Sequence, residues 1–386
     1  MYSILIIDDD PVTKLMLRRI LEQQGYSVET AQDGQEGIAK AAQIMPALII
    51  CDWLMPITDG LEVCRFVKKH EQLCTTFFVL LTSRVELEDR IEGLNAGADE
   101  FLAKPIDMNE LTARVRAGLR LYQLNQDLQQ QKQVLENELA EAASYVRSIL
   151  PEPMRSPLKI ESLFLPSRQL GGDSFDYFWL DADTLVLYLL DVAGHGLGAA
   201  LPSVSILNLL RSQSLSGVNY TEPAEVLTAL NRGFQMSNHS NKYFSIWYGV
   251  YHCSTRHLRF ASAGHPPAML WSPANQCTML KTPGFPIGLF PDEQYATAHC
   301  SIDSDSTLYL YSDGVYEVYQ EPGVIWGLNA FQALLQTTPK HHHWNLEELI
   351  QQIQDNAGTQ SFLDDFSLIK VRFFEAKTAD FATSAH

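Results

Sequence analysis

Four aspartates in the second half of the chain stand at the ends of apolar stretches, each beside glycine or another aspartate. They are Asp173 in GGDSF, Asp191 in LVLYLLDVAGHG, Asp313 in LYLYSDG and Asp364 in LDDFSLIKV. A carboxylate at the end of a buried strand is costly unless a cation meets it. Oxygen ligands without cysteine, and with few histidines nearby, select hard divalent cations such as Mg2+ or Mn2+ over zinc. Two such ions about 3.5–4 Å apart can share a carboxylate and a water, lower the pKa of that water and aim it in line at a phosphate ester. The glycines leave room for backbone close to metal and phosphate. A site of this kind needs no serine or cysteine nucleophile.

A second constellation lies in the first third: Asp8, Asp9, Asp52, Thr82 and Lys104. Carboxylates with one lysine make a hard-oxygen site for Mg2+, which neutralises phosphoryl oxygens while Asp52 attacks phosphorus as a nucleophile. Any one of these residues alone reads as a solvated turn; five together do not.

The elements that must position them follow from pattern. YSILII, SVETA, the run Ala47–Cys51, FFVLLTS and EFLAKP alternate with helical stretches, among them one from about Pro11 to Gln24 closed by Gly25. Alternation predicts a doubly wound α/β fold with a parallel sheet, in which ligands bind outside the carboxyl ends of the strands. Asp8, Asp9, Asp52, Thr82 and Lys104 should therefore converge on one edge. The carboxy-terminal part has strands in runs (160–167, 185–190, 243–253, 257–264, 307–317) around helices at 197–211 and near 223–236, with further helices around 329–336 and 346–354. That order predicts an α+β layered β-sandwich. In LVLYLL every residue is apolar, as in a strand buried on both faces.

Between the two, residues 119–150 shift to Leu, Gln and Glu with no Gly or Pro. Leu121, Leu124, Leu128, Gln131 and Leu135 follow a 3-4 spacing; the stripe continues one residue out of phase at Leu139, Ala142, Val146 and Ile149. About four heptads with a stutter-like break suit a two-stranded coiled coil and a homodimer, with a single signalling helix packed on its own domains as the alternative. Pro151, Pro153 and Pro157 stop the helix. The expected division is 1–118, a helical linker at 119–150, a domain at 151–375 and a flexible tail at 376–386.

Composition excludes other classes. The net charge is −18 and is spread over all three segments, so no segment is basic and direct nucleic-acid binding is disfavoured. Six scattered cysteines without a C-x-x-C pair argue against zinc or a disulfide framework and fit a reducing cytoplasm. The start lacks a basic n-region and no apolar run approaches the roughly 18 residues of a membrane span, which predicts a soluble, unexported chain.

Residues 1–118 resemble a two-component receiver domain through LIIDDDP, CDWLMP with Pro56 and Gly60, LTS and GADEFLAKP. The resemblance implies that Asp8 and Asp9 hold Mg2+, Asp52 accepts the phosphoryl group from a cognate histidine kinase, Thr82 contacts it, Lys104 pairs with it and Phe101 is the switch aromatic. Across roughly 145–373, SILP, GGDSFDYF, DVAGHGLGAAL, SAGHPPAML, PGFPIGL, LYLYSDGVYE and DDFSLIKV resemble the SpoIIE/RsbU-like branch of the protein phosphatase 2C superfamily. GGD invites a different reading, the diguanylate cyclase signature GG-D/E-E-F, but GGDSF lacks the second acid. The phosphatase resemblance implies Asp173, Asp191 and the Val192 carbonyl as core metal ligands and catalytic centre, with Asp313 and Asp364 completing the shell of two Mn2+ or Mg2+. Asp365 is a neighbour, Asp176 and His195 match motif positions, His195 and His265 serve as structural support, and the 341–343 histidine triplet is an exposed loop. Together the resemblances imply a response regulator whose output removes phosphate from serine or threonine of a STAS-domain anti-sigma-factor antagonist. A non-catalytic adaptor that binds a partner on phosphorylation is the alternative, which loss of any of the four aspartates would favour.

Overall fold

A computed structural model describes residues 2–83, 87–236, 242–321, 324–337, 344–358 and 362–374; the 341–343 triplet and the 376–386 tail lie outside them. The chain forms two compact units, Met1–Glu136 and Asn137–His386.

The first unit is a parallel five-stranded sheet in the order β2-β1-β3-β4-β5, built from β1 (Ser3–Ile7), β2 (Ser27–Ala31), β3 (Leu48–Asp52), β4 (Phe77–Thr82) and β5 (Glu100–Ala103). Helices α1 (Pro11–Gln23), α2 (Gly34–Ile44), α3 (Gly60–Lys69) and α4 (Leu87–Asn95) connect the strands. Alternate residues of the strands serve two cores: Leu5, Ile7, Ile49, Cys51 and Leu80 in one, Ile4, Ile6, Leu48, Ile50, Val79 and Leu81 in the other. Side chains alternate across a strand, so continuous apolar runs mark burial on both faces. Asp10 caps α1, accepting from the Val12 and Thr13 amides.

The last receiver helix and the linker are one element, α5 (Met108–Ile149), 42 residues long. It does not begin at 119, because no proline interrupts Met108–Ile149 and Gly118 lies against the Phe77 ring; Leu111, Val115 and Leu119 of its first turns are buried in the receiver core. The out-of-phase stripe has a physical explanation. Leu121, Leu124, Leu128 and Leu135 are exposed, whereas Leu139, Ala142, Ala143 and Val146 pack against Leu170 and Ala200 of the second unit.

That unit is a sandwich of two antiparallel five-stranded sheets. One has the order β13-β10-β9-β8-β7 and comprises β7 (Ser174–Trp179), β8 (Thr184–Val192), β9 (Phe244–His252), β10 (His257–Ala263) and β13 (Ala298–Ser301). The other, β12-β11-β14-β17-β6, comprises β6 (Lys159–Leu165), β11 (Ala268–Trp271), β12 (Cys277–Leu280), β14 (Thr307–Tyr311) and β17 (Phe366–Arg372). Leu185, Leu187, Leu189 and Trp247 meet Ile160, Leu308, Leu310 and Ile369 between the sheets. Val186, Tyr188 and Leu190 point the other way, beneath α6 (Leu197–Arg211) and α7 (Pro223–Gly233). The outer face of the second sheet is covered by α8 (Leu328–Gln336) and α9 (Leu346–Ala357). The result is a four-layered α/β/β/α sandwich, and it explains why LVLYLL carries no polar residue.

Candidate active site

In the first unit, strand polarity brings the carboxyl ends of β1, β3, β4 and β5 to one edge. Lys104 Nζ, just past β5, lies 2.9 Å from Asp52 Oδ2 and 3.2 Å from Asp8 Oδ2. Asp8, Asp9 and Asp52 each offer a carboxylate oxygen, and these lie within 4.8 Å of one another, which suits a single cation. Burial raises the pKa of Asp52 against the lowering by the Lys104 amine, and Asp8 adds to the rise. Burial alone would lower Lys104, but Asp52 and Asp8 hold it above its ordinary value. The edge is thus short of positive charge. Thr82 closes β4 beside it and is buried. The Phe101 ring is also buried, filling the space beside Gly93 of α4, where an added Cβ would stand 2.5 Å from the ring.

In the second unit Asp173 precedes β7, Asp191 sits near the end of β8, Asp313 opens a 3-10 turn (Asp313–Val315) after β14, and Asp364 lies just before β17. Asp173 is 1 % exposed and neither of its carboxylate oxygens meets hydrogen-bond geometry with a described residue, although the nearby Ser367 and Ser312 hydroxyls lower its pKa against the larger effect of burial. Its pKa is pushed well up by burial, then by Asp191 and Asp365. Burial, then Asp313, Asp364 and Asp365, push Asp191 up to about 8; burial and Asp364 push Asp313 up to about 6. Asp173, Asp191 and Asp313, each pushed up by burial and then by neighbouring acids, with no lysine or arginine among the causes, make a site that suits divalent cations. Among the described residues the phosphatase acids do not bring three ligand atoms within 4.8 Å of one another as the receiver trio does.

Asp365 is not a further ligand of the same kind. Its Oδ1 accepts from the Ser167 amide at 2.8 Å and the Ser167 hydroxyl at 3.0 Å, and its Oδ2 accepts from the Gly172 amide at 2.5 Å. Asp365 therefore fixes the turn that carries Asp173. Sequence reasoning placed it beside the site but missed this role and missed Ser167; the second of two adjacent acids just ahead of β17 was the available signal. Ser312 holds the opposite side, donating to the Asp365 carbonyl at 3.0 Å and accepting from the Ser367 amide at 3.0 Å. Gly172 is required sterically, since an added Cβ would run into the Val192 carbonyl. Asp176 turns away from the cluster and pairs with Arg211. His195 is exposed, whereas His265 is 2 % exposed and its Nδ1 lies 3.0 Å from the Pro266 carbonyl.

The fold and this acidic site define a receiver domain followed by a phosphatase-2C-type domain. The chain belongs to the family described as Stage II sporulation protein E (SpoIIE), whose model matches residues 181–374, just over half of the 386; the response regulator receiver domain matches residues 4–116. Among relatives, the DNA-binding dual master transcriptional regulator RpaA of Synechocystis is 42% identical over 120 residues, 31% of this chain and 50% of its own length. The response regulator MprA of Mycolicibacterium vanbaalenii is 44% identical over 117 residues, 30% of this chain and 50% of its own. The chain spans about half the length of the curated relatives it matches. Among solved structures, the SiaA-PP2C domain of Pseudomonas aeruginosa shares the fold with a TM-score of 0.55 at 23% identity, covering 63% of this chain and 98% of that one. No helix among the described residues is long and apolar enough to cross a membrane.

Proposed function

We propose that the protein is a cytoplasmic response regulator in which phosphorylation of Asp52 controls a metal-dependent serine/threonine protein phosphatase. The observation that carries the phosphatase half is Asp173, a fully buried carboxylate near which the described residues put two serine hydroxyls and no cation. Asp173, Asp191, Asp313, Asp364 and the Val192 carbonyl would hold two Mn2+ or Mg2+. When bound, the ions supply charge for the phosphate oxygens and a water acidic enough to attack phosphorus. The chain's own part is positional: Asp365 and Ser167 fix the Asp173 turn, Gly172 admits the Val192 carbonyl, and Ser312 ties the Asp313 turn to β17.

In the receiver, Asp8, Asp9 and Asp52 would hold Mg2+, and Asp52 would take a phosphoryl group from a cognate histidine kinase. Lys104 would balance the added charge, with Thr82 and Phe101 reading it. The exposed stripe Leu121, Leu124, Leu128 and Leu135 supports a homodimer through a linker coiled coil. The resemblance to the SpoIIE/RsbU-like branch supports a phosphorylated STAS-domain protein as substrate. Release of phosphate from phosphoserine STAS proteins, measured with Mn2+ and with or without receiver activation, tests the reading; no release from any of them under Mn2+ or Mg2+ overturns the substrate assignment.

A further inference from the structure

Strand β8 delivers Asp191 and Val192 in register with Ser245 and Phe244 of β9. Beyond that pairing the two chains stay tied by one residue on each side. The Ala193 amide donates to the Tyr243 carbonyl at 3.0 Å, and the Ala193 carbonyl accepts from the Lys242 ammonium at 2.7 Å. Both polar groups of Ala193 are therefore held by two consecutive residues, Lys242 and Tyr243.

The neighbouring carbonyls point elsewhere. Those of Val192 and Gly194 converge on Gly172, the residue before Asp173: an added Cβ there would collide with the first and stand 3.1 Å from the second. Ala193 and Gly194 are bent rather than extended. The Val192 carbonyl shares a peptide plane with the Ala193 amide, so holding both polar groups of Ala193 fixes the planes on either side of its Cα and with them the direction of the Val192 carbonyl. Gly194, at φ +96°, supplies no rigidity of its own. A side chain there would also stand 2.6 Å from the Lys242 ammonium, so the amine occupies the space that glycine leaves open.

We propose that Lys242 is a positioning residue for the metal site: by gripping the Ala193 carbonyl it keeps the Val192 carbonyl turned toward the Asp173 turn. The inference rests on the reading of Val192 and the four aspartates as metal ligands. An ammonium suits the task because its bond to a carbonyl is charge-assisted and its stem reaches across the gap. Groups that orient a ligand rather than touch the metal typically account for about 10–100-fold in metal affinity. Lys242 differs from most of them in orienting a backbone carbonyl instead of a side chain.

The test is calorimetric titration of the metal-free full chain with Mn2+, comparing wild type, Lys242→Met, Lys242→Arg and Asp191→Ala. The binding heat lost in Asp191→Ala belongs to the phosphatase site and separates it from the receiver. For that heat, Lys242→Met should weaken Mn2+ binding by about tenfold and Lys242→Arg should restore it to within about threefold, with the metal-free melting temperature unchanged in both. Wild-type Mn2+ affinity in Lys242→Met overturns the proposal and leaves the phosphatase reading intact. A lowered metal-free melting temperature with no recovery in Lys242→Arg also overturns it, because Lys242 would then only pack. If wild type and Asp191→Ala bind Mn2+ alike, the metal-site reading itself falls and this inference with it.

Discussion

Arg211, the last residue of α6, places its Nε 2.6 Å from Oδ2 of Asp176, whose side chain is almost wholly buried in β7, three residues after Asp173. The same guanidinium donates from Nη2 to the carbonyl of Ile149, the last residue of α5, at 2.8 Å. Removing Arg211 leaves a buried carboxylate uncompensated and a helix-end carbonyl without its donor. Arg211→Met should therefore lose about 2–3 kcal/mol in urea unfolding. Arg211→Met combined with Asp176→Leu should recover part of that loss. Equal stability of Arg211→Met and wild type would show that the pair contributes nothing.

His265 sets a pH dependence. Burial, with a smaller push from Lys281, lowers its pKa to about 4, against the carbonyl bond that opposes the shift. A folded pKa below the unfolded value of about 6.5 means the contribution is present above pH 6.5 and is lost as pH falls toward 4. Between pH 7 and pH 5 this one group should remove about 2 kcal/mol from the stability of the second unit. In His265→Gln that part of the slope should vanish, and an unchanged slope would contradict the assignment.

The linker stripe should hold two copies together. Leu124 and Leu128 are 57 % and 64 % exposed, too much for a helix with no further partner over this stretch. Sedimentation should give a dimer for wild type and a monomer for Leu124→Lys with Leu128→Lys, the circular dichroism of the receiver and sandwich being retained. A wild-type monomer at tens of micromolar would remove the coiled coil from the account.

Receiver chemistry should reach the phosphatase. Beryllofluoride, which mimics the phosphoryl group on Asp52, should change turnover on a phosphoprotein several-fold, and Asp52→Asn should be insensitive to it. Equal turnover in all three states would sever the two halves.

How much of this was legible in the sequence depends on which forces set each element. The central strands were readable because burial on two faces forces uninterrupted apolar runs such as ILII and LVLYLL, and the ends of such strands announced Asp8, Asp52, Asp191 and Asp313. The short edge strands β12 and β13 were not, because CTML and AHCS are mostly half-buried or exposed and carry little apolar pattern. The start of α5 was misjudged by eleven residues since composition changes at 119 while the backbone does not. The phase slip after Leu135 was visible, but its cause, docking on Leu170 and Ala200, lies in residues far along the chain. The role of Asp365, and Lys242 altogether, stayed hidden for the same reason: their partners are Gly172 and Ala193, and no local pattern records a contact across 193 or 49 residues.

The central claim is that Asp173, Asp191, Asp313 and Asp364 together hold the ions for phosphate ester hydrolysis. Phosphate release from an aryl phosphate by the full chain, followed across Mn2+ concentration, tests it most directly. Wild type should turn over only with Mn2+ or Mg2+, and Asp191→Ala and Asp313→Ala should each lose at least about a hundredfold with the fold retained. Hydrolysis that persists in Asp191→Ala or survives chelation, or none from wild type under either metal, would contradict the account.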